Sequence, residues 1–362
     1  TVYVTPQSLY VVTADWSSGL PTSQIYKFAL RPEEGQVPLV ATGQVPGQVL
    51  YAFSLDEQGS YLRIVTQNGW RAEAESALYV LDQVGEKLVP VGQIEDLAAG
   101  EQLYSVRFLG DRAFVVTFGP DGGWWVDPLF TIDLSNPQEP RVEGELEIPG
   151  FSNYLQMIDG QFLIGLGRAA DETNGRQLGP QVSLFDVSDF DDPLLADRVS
   201  FGEASSWSEA FFNHHAISYF PDQKILAVPL DTWTPAAMDV DVAGNPVLNG
   251  IWDGDTSPLP RWQSQLWVFR IDTTEGEPAR IHVLGTITHN SSILRSLRIG
   301  EQLFSVSADT IQVHDIFDPG VMLDELYFGP RAQDDWFSVD RNSQEKFLDV
   351  LAPLFAGAAP DV

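Results

Sequence analysis

Apolar residues along this chain recur mostly at every second position, in short runs separated by turn-forming residues. Residues 101–150 hold one complete set: Leu103–Leu109, Ala113–Phe118, Pro128–Leu134 and Arg141–Ile148. Period-two alternation over four to eight residues marks a half-buried strand. The breaks between the runs are Gly110-Asp111, Pro120-Asp121-Gly122-Gly123, Ser135-Asn136-Pro137 and Pro149-Gly150, all turn chemistry. Four antiparallel strands in so short a stretch make one small sheet, which cannot bury both of its faces alone. It needs neighbours like itself.

The same pattern precedes and follows it. A first set reads Val2–Thr5, Ser8–Thr13, Gln24–Leu30 and Leu39–Val45. A second reads Leu50–Leu55, Tyr61–Thr66, Ala77–Leu81 and Leu88–Ile94, and a fourth Tyr154–Ile158, Phe162–Gly167, Val182–Val187 and Leu194–Phe201. Gly47, Gly100, Gly150 and Gly202 punctuate them at spacings of 53, 50 and 52 residues (100 − 47, 150 − 100, 202 − 150). A period near fifty with four strands per repeat predicts an all-β fold, a β-propeller. The fifth set is His215–Tyr219, Ile225–Pro229, Gln265–Ile271 and Ile281–Ile287, stretched by an insertion over 231–264. The sixth is Leu294–Ile299, Leu303–Ser307, Thr310–Asp315 and Met322–Phe328. Six blades are therefore expected over 1–329, at about 1–47, 48–100, 101–150, 151–202, 203–289 and 290–329, forming a ring of their own or part of a larger one. Residues 330–362 break the pattern and read as a tail or linker.

Composition narrows the function classes. No apolar run approaches the length of a membrane span, so membrane insertion is not expected. Acidic residues outnumber basic ones 51 to 20, for a formal charge of −31, and such a surface repels nucleic acid and anionic lipid while attracting cations. The absence of cysteine excludes disulfides, thiolate metal sites and cysteine nucleophiles. An N-terminal threonine nucleophile is disfavoured, because Thr1 runs straight into strand-like Val2–Val4.

Several long strings resemble a bacterial and archaeal family of secreted proteins with a C-terminal β-propeller domain: YSVRFLGDRAFVVTF (104–118), VDPLFTIDLSNPQEPRVEGELEIPGFSNYL (126–155), SLFDVSDFDDP (183–193), WSEAFFNHHAISYFP (207–221) and LRSLRIGEQLFSVSADTIQVHDI (294–316). The resemblance covers about 2–329 and implies an exported or cell-surface propeller, distantly like WD-repeat proteins, without implying an activity. Asp334–Leu351 resembles the opening of the tandem cadherin-like modules of very large secreted bacterial proteins, departing from it at Ala352-Pro353-Leu354. That implies further modules in a longer secreted chain.

In a propeller the loops joining second to third strands share a rim with the blade-to-blade connections. Trp16, Trp70, Trp124, Trp125, Trp233, Trp252 and Trp262 fall in the former and Trp207 in the latter, so eight of ten tryptophans are expected on one face. Flat indoles suit sugar rings or a protein partner, while packing of the 231–264 insertion over the rim accounts for the same tryptophans without a ligand. Asp239, Asp241, Asp253 and Asp255 are the densest carboxylates for a calcium ion, with Asp189, Asp191 and Asp192 on the opposite rim a weaker set. Asp133-Leu-Ser135 and Asp186-Val-Ser188 recur at equivalent places and read as turn caps.

Polar residues entering the fifth blade give the alternative, an enzyme. His214 or His215 as general base, Glu209 as acid and Arg107 neutralising a substrate carboxylate would suit polysaccharide cleavage, and Glu209 with Asp127 is the one carboxylate pair for glycoside hydrolysis. Arg107 and Arg295, on inner strands, are equally explained by ion pairs with carboxylates such as Glu209 or Asp127. The leading expectation is a binding or scaffold module, supported by calcium, for an extracellular glycan or protein.

Overall fold

The near-continuous apolar runs of the second strands explain the architecture, since a strand covered on both faces loses its alternation. In the computed structural model of the chain, Leu62–Gln67 on the second strand of the second set are buried without interruption, and so are Leu163–Leu166 in the fourth. The structure describes residues 1–17, 19–69, 73–121, 124–171, 173, 176–234 and 261–329; for residues 120–121, 124–127, 149, 234 and 261 it describes the backbone alone. Among the described residues there is no α-helix.

Two compact units hold these strands. Unit 1 comprises residues 1–201 with 273–280 and contains four antiparallel meanders. They are β1–β4 (Val2–Val4, Ser8–Asp15, Thr22–Ala29, Leu39–Pro46), β5–β8 (Leu55–Gln58, Tyr61–Asn68, Glu75–Val84, Lys87–Leu97), β9–β12 (Gln102–Leu109, Arg112–Asp121, Trp124–Asp133, Arg141–Pro149) and β13–β16 (Phe151–Ile158, Phe162–Ala170, Gln177–Asp186, Leu194–Ser200). A single parallel pairing, Thr42 with Lys87, joins the outer edges of the first two. Unit 2 comprises 202–272 and 281 onward. It contains β17–β20 (Ser218–Phe220, Ile225–Thr234, Arg261–Asp272, Arg280–His289) and β21–β24 (Ile293–Ile299, Gln302–Ser307, Thr310–Asp315, Met322–Tyr327). Each meander is a propeller blade.

Within unit 1 the core is three sheet-on-sheet layers. Tyr10, Ile25, Leu62 and Leu81 fill the first, Val80, Val106, Val115 and Ile132 the second, and Phe114, Leu155, Leu163 and Phe185 the third. In unit 2, Ile225, Leu266, Val268, Ile293 and Leu303 join the two blades. The four periodic glycines have one conformation in common: φ is +84°, +88°, +113° and +67° at Gly47, Gly100, Gly150 and Gly202. Only glycine adopts that left-handed region without strain, and a Cβ on Gly150 would lie 2.5 Å from the Arg168 carbonyl oxygen. The repeat seen in the sequence is thus a repeated backbone turn.

Two expected strands are corrected. Leu50–Leu55 is not a strand: Ala52–Ser54 form a 3-10 turn and β5 begins at Leu55. Tyr51 explains this, because its hydroxyl donates to the Tyr104 carbonyl (3.2 Å) and accepts from the Val106 amide (3.0 Å), drawing the segment onto the third blade. His215–Tyr219 likewise shortens to Ser218–Phe220. Ser208 caps a 3-10 turn over Glu209–Phe211, accepting from the Ala210 amide, and the Asn213 side chain accepts from the His215 amide. Both histidines therefore lie in a turn and not on a strand.

Candidate binding face

The arms of the long insertion in unit 2 are strands, and their register brings distant residues together. In the β18–β19 hairpin Trp233 pairs with Trp262 and Asp231 with Ser264. Directly opposed residues share a face, as do residues two apart on one strand. Trp207 joins the same face from the other side, since its backbone bridges Asp231 with N–O distances of 2.8 and 2.7 Å. Three tryptophans thus share one face of the sheet with Asp231.

Exposure differs across this face. Trp207 and Trp233 are 47% and 50% exposed and Trp262 is half-buried. Phe212, 72% exposed, stacks on Trp207 with ring centres 4.8 Å apart and planes 15° from parallel, while the buried Phe211 meets Trp207 edge-on at 6.3 Å. One indole face is therefore supported by the fold and the assembly remains open to solvent.

Asp231 is the polar centre. Its Oδ2 accepts from the Ser292 hydroxyl at 2.9 Å, and Ser264 donates to it as well. Burial lifts its carboxyl above the ordinary aspartate value, the two hydroxyls oppose that shift, and the Glu209 charge adds to it. Glu209 is exposed and accepts from the Asn213 side chain at 2.9 Å. Among the described residues neither carboxylate has a cationic partner. His214 and His215 follow in the turn, exposed, with ring centres 4.0 Å apart.

The other expected site residues belong to unit 1, to other strands of unit 2 or to the residues outside those described. Trp16 is exposed in unit 1, after Asp15. Trp124 and Trp125 begin β11, and Asp127 lies on the same strand, with their backbones alone described. Trp70, Trp252, Asp239, Asp241, Asp253 and Asp255 lie outside the described residues. Arg107, expected beside His214, His215 and Glu209, belongs to unit 1, where its Nε donates to the Leu155 carbonyl (2.9 Å) and its Nη2 to Tyr154 and Gln156 (3.1 Å each). Its guanidinium also lies over Phe53 at 4.3 Å. Uncharged acceptors and ring faces satisfy it, in place of the expected carboxylate. Arg295 turns to its own strand, donating to the Leu294 carbonyl at 3.1 Å.

Asp189, Asp191 and Asp192 are exposed and belong to no group of three metal-ligating side chains among the described residues; Asp189 accepts from the Asp191 amide at 3.2 Å. Asp133 and Asp186 cap their turns, each accepting from the amide two residues on at 2.9 Å. In unit 1 a cleft of about 530 Å³ opens beside Tyr3, Thr5, Gln7 and Glu57, but the Glu57 carboxylate is already saturated by four neighbours.

The sequence pointed to the tryptophans but not to Asp231 as their centre or to Phe212 as the stacking partner. The signal was the spacing Asp231-x-Trp233 set against Trp262-x-Ser264, readable once both arms of the insertion are taken as one hairpin.

Comparison with known proteins bears on the fold. The family model described as "Beta propeller domain" matches residues 1–318. An uncharacterized protein of Archaeoglobus fulgidus is 42% identical over 208 residues, 57% of this chain and 29% of that protein. One of Methanocaldococcus jannaschii is 30% identical over 279 residues, 76% of this chain and 36% of that protein. The chain thus spans about a third of the length of these relatives. Among solved structures, the Neurospora crassa Pan2 WD40 domain aligns over 91% of this chain and 79% of its own at 10% identity and a TM-score of 0.44. Saccharomyces cerevisiae Sqt1 aligns over 90% and 84% at 8% and 0.38.

Proposed function

Since the chain belongs to the β-propeller domain family, we infer that it is a binding module, exported to the cell exterior, that takes an extracellular glycan on the aromatic face of unit 2. The observation that carries this reading is the grouping of Trp207, Trp233 and Trp262 around Asp231, with Phe212 backing Trp207. Exposed indoles lose hydrophobic free energy in water that a ligand restores, and a sugar offers a flat apolar face together with hydroxyls. Asp231 accepts such a hydroxyl while Ser264 and Ser292 hold it in place. Proteins replace glycans as ligand if the same indoles meet apolar side chains.

Retention on a matrix of the glycan is the direct test. Trp207→Ala and Trp233→Ala each weaken it by about 2 kcal/mol, roughly thirtyfold, the scale of a truncated aromatic anchor. Binding unchanged in both variants refutes the reading. Hydrolysis at the same face is the competing outcome, with Glu209, His214 and His215 as its groups, and appears as oligosaccharide products lost in His214→Ala/His215→Ala.

Calcium support is a separate part of the proposal and rests on Asp239, Asp241, Asp253 and Asp255. Millimolar calcium raises the thermal midpoint of unit 2 by several degrees and a chelator reverses it, because a ligand held only by the folded state stabilises it in proportion to RT ln(1 + [L]/Kd). An unchanged midpoint removes calcium from the reading.

A further inference from the structure

The aromatic face carries two carboxylates and, among the described residues, no cation to match them. Asp231 is held by hydroxyls alone and Glu209 by an amide. A half-buried carboxylate that feels a second one is an electrostatic cost, and folds ordinarily relieve it with Lys or Arg. Here the relief is left open on the side where Trp207, Phe212 and Trp233 are exposed. Indole faces carry the negative lobe of the ring quadrupole, so they add to the attraction for a cation and do not oppose it. The chain as a whole, at −31, concentrates cationic ligands around its surface.

From this we propose that the ligand is a glycan bearing primary ammonium groups, an amino-sugar polymer, whose ammonium sits between Asp231, Glu209 and the Trp207 indole while its ring stacks on Trp233. The inference rests on the glycan-binding reading and names its charge. A neutral sugar would leave both carboxylates unmatched, and an acidic one would be repelled. The stacked Trp207–Phe212 pair and the cross-strand Trp233–Trp262 pair give two aromatic platforms on the face that holds Asp231, which suits neighbouring residues of a linear polymer. A lysine-rich peptide offers the same ammonium without the sugar ring, and so would make less use of Trp233.

Calorimetric titration of the full chain with glucosamine oligomers, N-acetylglucosamine oligomers of equal length and a lysine-rich peptide tests this. The glucosamine oligomer is expected to bind at least tenfold more tightly than its acetylated counterpart, and more weakly as salt rises. Asp231→Asn and, as the exposed alternative, Glu209→Gln each remove most of that preference, bringing the affinity for the glucosamine oligomer close to that for the acetylated one. Equal affinity for both oligomers, or a preference that survives both substitutions, overturns the ammonium inference and leaves glycan binding standing. Binding of neither oligomer overturns both, and tighter binding of the lysine-rich peptide, insensitive to Trp233→Ala, replaces the glycan by a basic polypeptide.

Discussion

Glu57→Ala destabilises the first blade of unit 1 by about 3–5 kcal/mol, the cost of leaving one partner of a buried ion pair uncompensated. Glu57 reaches from β5 into the first blade, and its carboxylate accepts from Thr5 (2.6 Å), Ser8 (2.8 Å) and Tyr10 (2.6 Å) and pairs with Lys27 at 3.1 Å. The Glu57 amide also donates to the Tyr3 hydroxyl at 3.1 Å. The pair is well buried, with side-chain exposures of 12% for Lys27 and 9% for Glu57. Removing the carboxylate strands the ammonium and three hydroxyls at once. Glu57→Gln keeps an acceptor without the charge and costs about 1–3 kcal/mol.

The same network fixes a pH dependence. Burial alone would raise the Glu57 carboxyl, but the hydrogen bonds from Thr5, Tyr10, Ser8 and Lys27 outweigh it and the group ends below the ordinary glutamate range. A carboxyl lowered on folding contributes stability that is full above its unfolded value, near 4.5, and is lost as pH falls through the folded one. Tyr10 is pushed the other way, by burial and by Glu57, and so remains a phenol donor throughout. Hydrogen exchange of β1–β4 amides reads both effects locally, which suits a chain of two units better than a single melting curve. Equal exchange in wild type and Glu57→Ala means that the network contributes nothing.

Much of this fold is written in local pattern and some of it is not. Strands such as Phe162–Ala170 follow from their own apolar run, and the blade-closing glycines announce a backbone turn that no other residue makes easily. Leu50–Leu55 has the same alternation, yet Tyr51 finds its partners on the third blade, some fifty residues away, and the run becomes a turn. The histidine turn is similar, because Ser208 and Asn213 offer the backbone side-chain partners that compete with a ladder. At the candidate face the tryptophans are visible as composition, whereas their convergence on Asp231 depends on a bridge from Trp207 that no local window contains. Arg107 misleads for another reason. A half-buried arginine suggests a carboxylate, but carbonyl, phenol, amide and ring faces satisfy it as well.

Unit 2 loses about 3 kcal/mol of stability as pH falls from about 6.5 to about 4, through His289. The imidazole is buried between the last strand of the fifth blade and the sixth, its Nε2 2.7 Å from the Ser305 hydroxyl, and its Nδ1 has no partner among the described residues. Burial lowers its pKa to about 4; Asp309 and Glu325 resist that shift, and His314 adds to it. The sign follows from proton counting. Between the two pKa values the unfolded chain holds a proton that the folded one refuses, so stability is complete above the unfolded value and drains away as pH falls toward the folded one. The size is the shift from the ordinary 6.5 at about 1.4 kcal/mol per pH unit. Buried His314 is shifted downward too, chiefly by burial, which extends the loss in the same direction. His289→Gln retains a partner for Ser305 without titrating, so hydrogen exchange of β21–β23 amides in that variant should lose most of its slope across this range. A slope equal to wild type assigns the acid sensitivity elsewhere. Because the Glu57 effect begins only near and below the carboxylate range, the sixth blade opens at a higher pH than the first, and an acid titration followed by exchange separates the two units.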